Sequence, residues 1–388
     1  MIYITTRQMP VYRQMTVEEL LFGDIDAPVV STKRCPSNTK TYAVSATPER
    51  LLSTLDVRAL IDSLEKFNLE HATLRERDRH ALYSEFYIPK KSGGLRKIDN
   101  PCDELKNALY ELRDIFEKEF HALYHTSAFA YVKKRSTRHA VQRHQQNESK
   151  WFGKLDLSNF FGSTTIDFLM QQLAMIFPFS EVCKNEEGRR QLYQAVELAF
   201  LDGGLPQGTP FSPLVTNVMM IPVDFSLSKQ FRSFPDKDGR YQKLVYTRYA
   251  DDFIVSSKYE FDISSVERII CDALASFNAP FSINTKKTRY GNSNGRNWNL
   301  GLMLNKDNEI TVGHRNKKAF QSMLRAYILD RRSGKSWPLH DVQVLSGLYS
   351  YYRSVEQKSI DAIIRYTNDK FDSDVVTWMR DDVRNLIA

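Results

Sequence analysis

Three aspartates carry the strongest chemical suggestion in this chain of 388 residues. Asp156 lies near the end of the apolar run WFGKLDL, and Asp251 and Asp252 sit side by side within KLVYTRYADDFIVSS. Hard carboxylate oxygens on rigid supports are what Mg²⁺ takes as ligands. Two such ions about 4 Å apart can activate a hydroxyl nucleophile and neutralise charge on a departing pyrophosphate. The chemistry that fits is nucleotidyl transfer, provided that the segments carrying Asp156 and the Asp251–Asp252 pair are neighbours. Strand-end carboxylates beside turns are common in sheet proteins, so this pattern by itself leaves a purely structural role open.

The surrounding elements decide whether those carboxylates can meet. Trp151–Leu157 reads as a strand, and KLVYTRYADDFIVSS reads as two β-rich halves of a tight hairpin around Ala250–Asp251–Asp252. Apolar residues at helical spacing run from Thr47 to Leu74, and further helices are expected from Asp103 to about Tyr124, over Thr165–Phe177, Arg189–Phe200 and Ser264–Phe277, and from near Leu214. SEFYIP and LRKID flank KKSGG as a hairpin, and NLGLMLN with EITVG forms another around Lys306–Asn308. GLPQGTPFSP holds two glycines and three prolines and is a loop. Residues 1–45 read as an extension, and the chain is helical from His314 onward. The pattern is that of an α+β sheet domain with a helical appendix.

Composition narrows the class. A hydrophobic fraction of 42% and a charged fraction of 26% are ordinary for a soluble globular chain. No apolar run reaches the roughly 20 residues of a membrane span. The start, MIYITTRQMPVYRQ, lacks the zones of a signal peptide, so the cytoplasm is expected. Cys35, Cys102, Cys183 and Cys271 form no CxxC pair, which points to reduced thiols. His121/His125 and His139/His144 lack the carboxylate or thiol spacing that would complete a metal site. The net charge of +7 is concentrated in two stretches, Lys133–Lys150 and Gly313–Lys335, which suit a long polyanion. The plainer reading of both is a solvated helix face.

IPKKSGGLRKID, KLDLSNFF, GLPQGTPFSP, YTRYADD, NTKKT (Asn284–Thr288) and NLGL (Asn299–Leu302) follow one another in that order. Together they resemble the successive motifs of reverse transcriptases, specifically the bacterial branch of retrons, group II introns and defence-associated enzymes. The resemblance runs from about Tyr83 to about Tyr352. It implies a right-hand polymerase of α+β class, with fingers, a palm built on antiparallel sheet and a helical thumb. The corresponding boundaries are an extension over 1–45, fingers with the first palm elements over 46–150, palm over 151–308 and thumb over 309–388. The implied activity is RNA-directed DNA polymerisation with two Mg²⁺ ions (Mn²⁺ as a substitute), dNTPs, an RNA template and a DNA product.

The resemblance also assigns roles. Asp156 and Asp251 are the principal metal ligands, Asp252 is a carboxylate of more variable contact, and Leu157 belongs to the same metal set. Phe161 resembles the steric gate that excludes a ribose 2′-hydroxyl, with Phe160 as the buried neighbour. Gln207 resembles the glutamine lining the nucleotide pocket, on a loop that needs Gly204, Pro206 and Gly208 for close backbone approach. Lys90, Lys91 and Arg96 flank a hairpin that can fold onto the triphosphate, the plain alternative being a solvated basic turn. Lys287 matches a lysine that could protonate pyrophosphate, a role requiring a lowered or well-placed ammonium. Asn299–Leu302 resembles a primer grip. Lys133, Lys134, Arg135, Arg315, Lys317, Lys318 and Arg325 are the nucleic-acid contacts, on an A-form-like hybrid read by shape and backbone.

Within the family, Ser212-Pro213 departs from diversity-generating enzymes. His139-Ala140 with His144, and Asn299-Leu300-Gly301, depart from the usual retron motifs. The expectation is a stand-alone, defence-associated (abortive-infection type) enzyme acting on a dedicated structured RNA. The rival readings are a retron enzyme making RNA-linked DNA, an untemplated or protein-primed polymerase, and a non-catalytic RNA-binding scaffold. Assembly into a homo-oligomer is compatible with the sequence.

Overall fold

The computed structural model describes residues 57–90, 93–119, 124–235, 238–293 and 301–387. The expected 1–45 extension lies outside them, as do Cys35, Lys91, His121, Asn299 and Leu300. The first described helix, α1 (Val57–Glu70), buries Leu60, Ile61, Leu64 and Phe67 on one face, the spacing its sequence advertises. After α2 (Ala72–Glu76), strands β1 (Tyr83–Pro89) and β2 (Leu95–Pro101) pair antiparallel around a tip where Gly93 and Gly94 take positive φ. Helix α3 (Asp103–Glu119) follows.

Helix α4 (Thr137–Gln146) arises from the basic stretch and is capped by Ser136, whose side chain accepts from the His139 N–H. Strand β3 (Trp151–Asp156) leads to α5 (Ile166–Leu173), α6 (Phe179–Lys184) and α7 (Glu186–Glu197). The expected single helix near Leu214 is two, α8 (Ser212–Met219) and α9 (Ile221–Phe231). Pro222 lacks an N–H and suits the opening turn of the second. The short pair β4 (Phe234–Pro235) and β5 (Tyr241–Gln242) precedes β6 (Val245–Tyr249), β7 (Asp252–Ser257) and α10 (Ile263–Ser276). Strand β8 (Arg289–Asn292) was not signalled by the sequence. Next come β9 (Met303–Leu304) and β10 (Ile310–Thr311), then four helices, α11 (His314–Arg332), α12 (Leu339–Val355), α13 (Gln357–Phe371) and α14 (Val375–Ile387).

The central sheet is antiparallel in the order β6-β7-β3-β8. Helices α5, α7, α8, α9 and α10 pack with it into one core that also takes in α1 and α3. The last four helices build a separate core around Phe320, Leu324, Tyr327, Val342, Leu345 and Ile360. A third cluster, with Val141, Phe152, Ile254, Leu304, Val312 and Val355, joins α4, the sheet and the base of α12. Among the described residues no helix is long and apolar enough to cross a membrane. Cys102, Cys183 and Cys271 are free thiols.

Candidate active site

Antiparallel register does the decisive work. Asp156, the last residue of β3, is directly opposite Asp252, the first of β7, and Tyr249 of β6 pairs with Asp252 on the other side. Ala250 and Asp251 are therefore the two turn residues of the β6–β7 hairpin. The Leu157 N–H donates to the Asp251 carbonyl at 3.1 Å, and the Asn284 N–H donates to the Asp156 carbonyl at 2.7 Å. Backbone bonds thus tie the carriers of the carboxylates together, a rigid support that side-chain packing alone would not give.

Like charges opposed across a sheet are destabilising unless a cation intervenes. Two ammoniums do so here. Lys154 Nζ lies 2.5 Å from Asp252 Oδ2, and Lys287 Nζ lies 2.9 Å from Asp156 Oδ2. Neither ammonium bonds Asp251 directly, and burial, with Asp252 and Asp156 adding and the Lys287 charge opposing, raises its carboxyl to about 6. Burial also raises Asp252, against the pull of Lys154. With the ammoniums engaged, the three carboxylates do not gather within 4.8 Å of one another. Among the described residues only Glu70, His71 and Glu111 do, around a 2.9 Å His71–Glu111 contact. The side-chain donors at the sheet end are carboxylate oxygens, which fits Mg²⁺ or Mn²⁺ rather than a metal that prefers sulfur or imidazole.

The GLPQG loop is tied by its backbone to the segment that follows β3 and to β2. The Leu205 N–H donates to the Phe161 carbonyl at 3.0 Å, and the Asp99 N–H of β2 donates to the Gln207 carbonyl at 2.8 Å. A Cβ at Gly204 would stand 2.2 Å from the Gly162 carbonyl oxygen, and one at Gly208 (φ +123°) would stand 2.8 Å from that of Asp99. Both glycines are therefore required by contact with backbone that cannot give way. Phe160 is buried and Phe161 only partly so.

The profile of the reverse transcriptase (RNA-dependent DNA polymerase) family matches residues 88–313. The chain belongs to the reverse transcriptase family. It has the right-hand architecture and RNA-directed DNA polymerase activity of that family, and divalent-metal dependence comes with membership. Retron Ec73 reverse transcriptase of Escherichia coli is 29% identical over 277 residues, 69% of this chain and 82% of that protein. Retron Ec83 reverse transcriptase of the same species is 26% identical over 284 residues, covering 72% and 85%. Retron Mx65 reverse transcriptase of Myxococcus xanthus is 26% identical over 305 residues, covering 75% and 65%. These similarities agree with the retron branch of the sequence resemblance. A telomerase from Candida albicans, solved with a fragment of telomeric RNA, aligns at 12% identity and a TM-score of 0.45, over 76% of this chain and 64% of that one.

In this reverse transcriptase the β1–β2 hairpin presents Arg96 and Lys90 as exposed side chains. Arg96 belongs to the same surroundings as Asp251. Burial raises the Tyr131 phenol, with Asp251 and Tyr249 adding and Arg96 opposing. Tyr131 was not signalled by sequence, and neither was Lys154. The latter stands two residues before Asp156, hence on the same strand face, a signal that was available. Lys287 carries a raised pKa, chiefly through its bond to Asp156, so it holds its proton more firmly rather than less.

Several of the expected nucleic-acid residues also have partners within the protein, Arg135 and Lys317 at partly buried positions and Lys133 on the open surface. Arg135 donates through Nη1 to the His125 and Ala128 carbonyls at 2.6 and 2.7 Å. Lys133 pairs with Glu117 at 2.5 Å, and Lys317 pairs with Glu356 at 2.6 Å. Arg315, Lys318 and Arg325 are exposed on α11, and Lys134 is exposed beside α4. His144 is buried against Ser256 and Thr247 and is a structural residue.

Proposed function

We propose that this reverse transcriptase adds dNTPs to a growing DNA strand at Asp156, Asp251 and Asp252, with two Mg²⁺ ions held by those carboxylates and the Leu157 segment. The observation that carries the reading is the opposition of Asp156 to Asp252 beside the Asp251 turn, inside the stretch that matches the family. Bound metal would supply charge neutralisation at the triphosphate and a more acidic 3′-hydroxyl. Arg96 and Lys90 draw the triphosphate toward the sheet end, and Gln207 lines the nucleotide pocket. Phe161 closes the space beside the sugar, so that a 2′-hydroxyl collides with its ring. Lys287 stabilises negative charge as a proton-holding cation beside Asp156, Lys154 restrains Asp252, and Asp156 and Asp251 act as the principal ligands.

On this reading, 46–150 are fingers, 151–308 palm and 309–388 thumb. The template is a dedicated structured RNA in the bacterial cytoplasm, and the biological setting is defence against phage. A retron product, DNA linked to RNA, is the second reading, supported by the match over 82% and 85% of two retron enzymes.

Asp251→Ala with Asp252→Ala should abolish dNTP incorporation on a primed RNA template while leaving the melting temperature and RNA retention intact. Synthesis by that variant would sink the metal assignment. Sequencing the nucleic acid that co-purifies with the protein separates a retron-like RNA–DNA product from the other templates.

A further inference from the structure

Arg248 is the largest wholly buried side chain among the described residues. Its guanidinium forks onto Asp224, Nε donating to Oδ1 at 2.9 Å and Nη2 to Oδ2 at 2.7 Å. Neither side chain has any solvent exposure. Nη1 donates to Asn217 Oδ1 and to the Ala250 carbonyl, both at 3.1 Å. The Tyr246 hydroxyl adds a 2.7 Å bond to Asp224.

Stability does not by itself call for such a pair. Desolvating two charges costs so much that apolar residues of the same volume often serve as well or better. The bond to the Ala250 carbonyl distinguishes this one. Ala250 is the first of the two turn residues, with φ +56°, while its partner Asp251 is not in the positive-φ region. Hairpin turns of that pattern favour glycine at the first position, because a Cβ there is strained. The turn that carries Asp251 is thus held in a shape its own sequence disfavours. A guanidinium bond to the Ala250 carbonyl pins the Ala250–Asp251 peptide, and with it the direction in which the Asp251 side chain leaves the backbone.

The clamp also has a wide base. Asn217 is on α8 and Asp224 is on α9, the two helices that follow the GLPQG loop. Asn217 Nδ2 donates to the Ala130 carbonyl at 2.5 Å. The Arg248 N–H donates to the Ser127 carbonyl at 2.6 Å, and its own carbonyl accepts from the Phe129 N–H at 2.9 Å. One buried cation therefore joins the helices behind the nucleotide pocket, the strand that enters the hairpin and the segment leading to Tyr131.

We propose that Arg248, clamped by Asp224 and Asn217, is a positioning residue that sets the Asp251 carboxylate for metal binding by holding the Ala250 carbonyl. The proposal rests on Asp251 being a metal ligand.

Arg248→Lys retains a positive charge for Asp224, but a single ammonium cannot reproduce the fork while also reaching Ala250 and Asn217. This variant should melt near the parent. Its kcat should fall about 10–100-fold, the scale for losing a partner that orients a metal ligand. The KM for dNTP should hold. Mn²⁺ affinity, titrated by electron paramagnetic resonance without nucleotide, should weaken by a similar factor. Adding Ala250→Gly, which adopts positive φ without strain, should restore part of both losses.

If Arg248→Lys does not fold, the double variant Asp224→Leu/Arg248→Met removes both charges together and is read by the same two measurements. A folded variant with parental kcat and Mn²⁺ affinity overturns the proposal. So does a loss in Arg248→Lys that Ala250→Gly leaves untouched, since that marks a core ion pair with no special hold on the turn. Asp251→Ala, titrated alongside, separates the two levels. If it binds Mn²⁺ as the parent does, the fault lies in the Asp251 assignment rather than in the positioning role of Arg248.

Discussion

Phe160 and Phe161 are adjacent in sequence and differ in fate, because a turn after β3 sends one ring inward and leaves the other partly exposed. Phe160 is 2% exposed and packs near Phe281, with ring centroids 4.9 Å apart. The Phe161 backbone is fixed by the bonds its carbonyl accepts from Thr164 and Leu205. A ring on so firmly held a backbone can discriminate by collision rather than by affinity. Contacts of a few carbon atoms in a pocket are worth about 1–3 kcal/mol, roughly 10–200-fold in selectivity. Phe161→Ala should therefore lower the preference for dNTP over rNTP by at least about tenfold, mostly through faster rNTP incorporation. Single-nucleotide extension with each substrate measures it, and unchanged selectivity would return Phe161 to a packing role. The charges around the carboxylates were less legible at this scale. Asp156, Asp251 and Asp252 stand out by type and neighbourhood, whereas Lys154 becomes visible only through the pleat that puts it beside Asp252.

The long central strands and the hairpin could be read from sequence because apolar runs and a tight turn are local signals. β8 could not, since four residues carry too little periodicity, and its pairing with β3 is decided by tertiary contact. Helix α4 was legible only as a solvated basic face, and its buried side shows why it must be there. His144 reaches Ser256 Oγ from Nδ1 at 2.6 Å and Thr247 Oγ1 from Nε2 at 2.8 Å. Ser256 gives its only hydrogen to Ser149 Oγ at 2.7 Å, so Nδ1 carries the imidazole proton and Nε2 accepts from Thr247. Burial, with help from Arg143, lowers the His144 pKa to about 3. The unfolded value is near 6.5. Its contribution to stability is therefore complete above pH 6.5 and falls as pH drops toward 3, because only the unfolded chain takes up the proton. The loss is about 2 kcal/mol by pH 5. Asp251, raised to about 6, works in the opposite sense. The comparison must therefore be made against the parent. In metal-free buffer, His144→Gln should lower the melting temperature at pH 7.5 and flatten its decline between pH 7 and 5. An equal decline in both proteins would show that the acid sensitivity arises elsewhere.

At the scale of the whole molecule, the two basic stretches were expected to meet nucleic acid as blocks, and the fold divides them residue by residue. A charge count says how much cation a segment holds but not which acid folds back onto it. Lys133 finds Glu117, and Lys317 finds Glu356, which also accepts from Thr311 Oγ1 at 2.7 Å. Glu356 therefore fastens the start of the helical appendix to its second helix, and Lys317 belongs to that joint. Arg315, Lys318 and Arg325 are spaced three and seven residues apart along α11, which puts all three on one exposed face. That stripe can follow phosphates, and each contact to a phosphate contributes about one unit to the salt dependence of binding. Changing Arg315, Lys318 and Arg325 together to Gln should weaken binding to an RNA–DNA hybrid and flatten the slope of log K against log salt by about three, without moving the melting temperature. Lys317→Gln should do the reverse, lowering the melting temperature and leaving the slope alone. A triple variant with the parental slope would make the face an ordinary solvated one. A changed slope in Lys317→Gln would show that its ion pair opens to admit the phosphate.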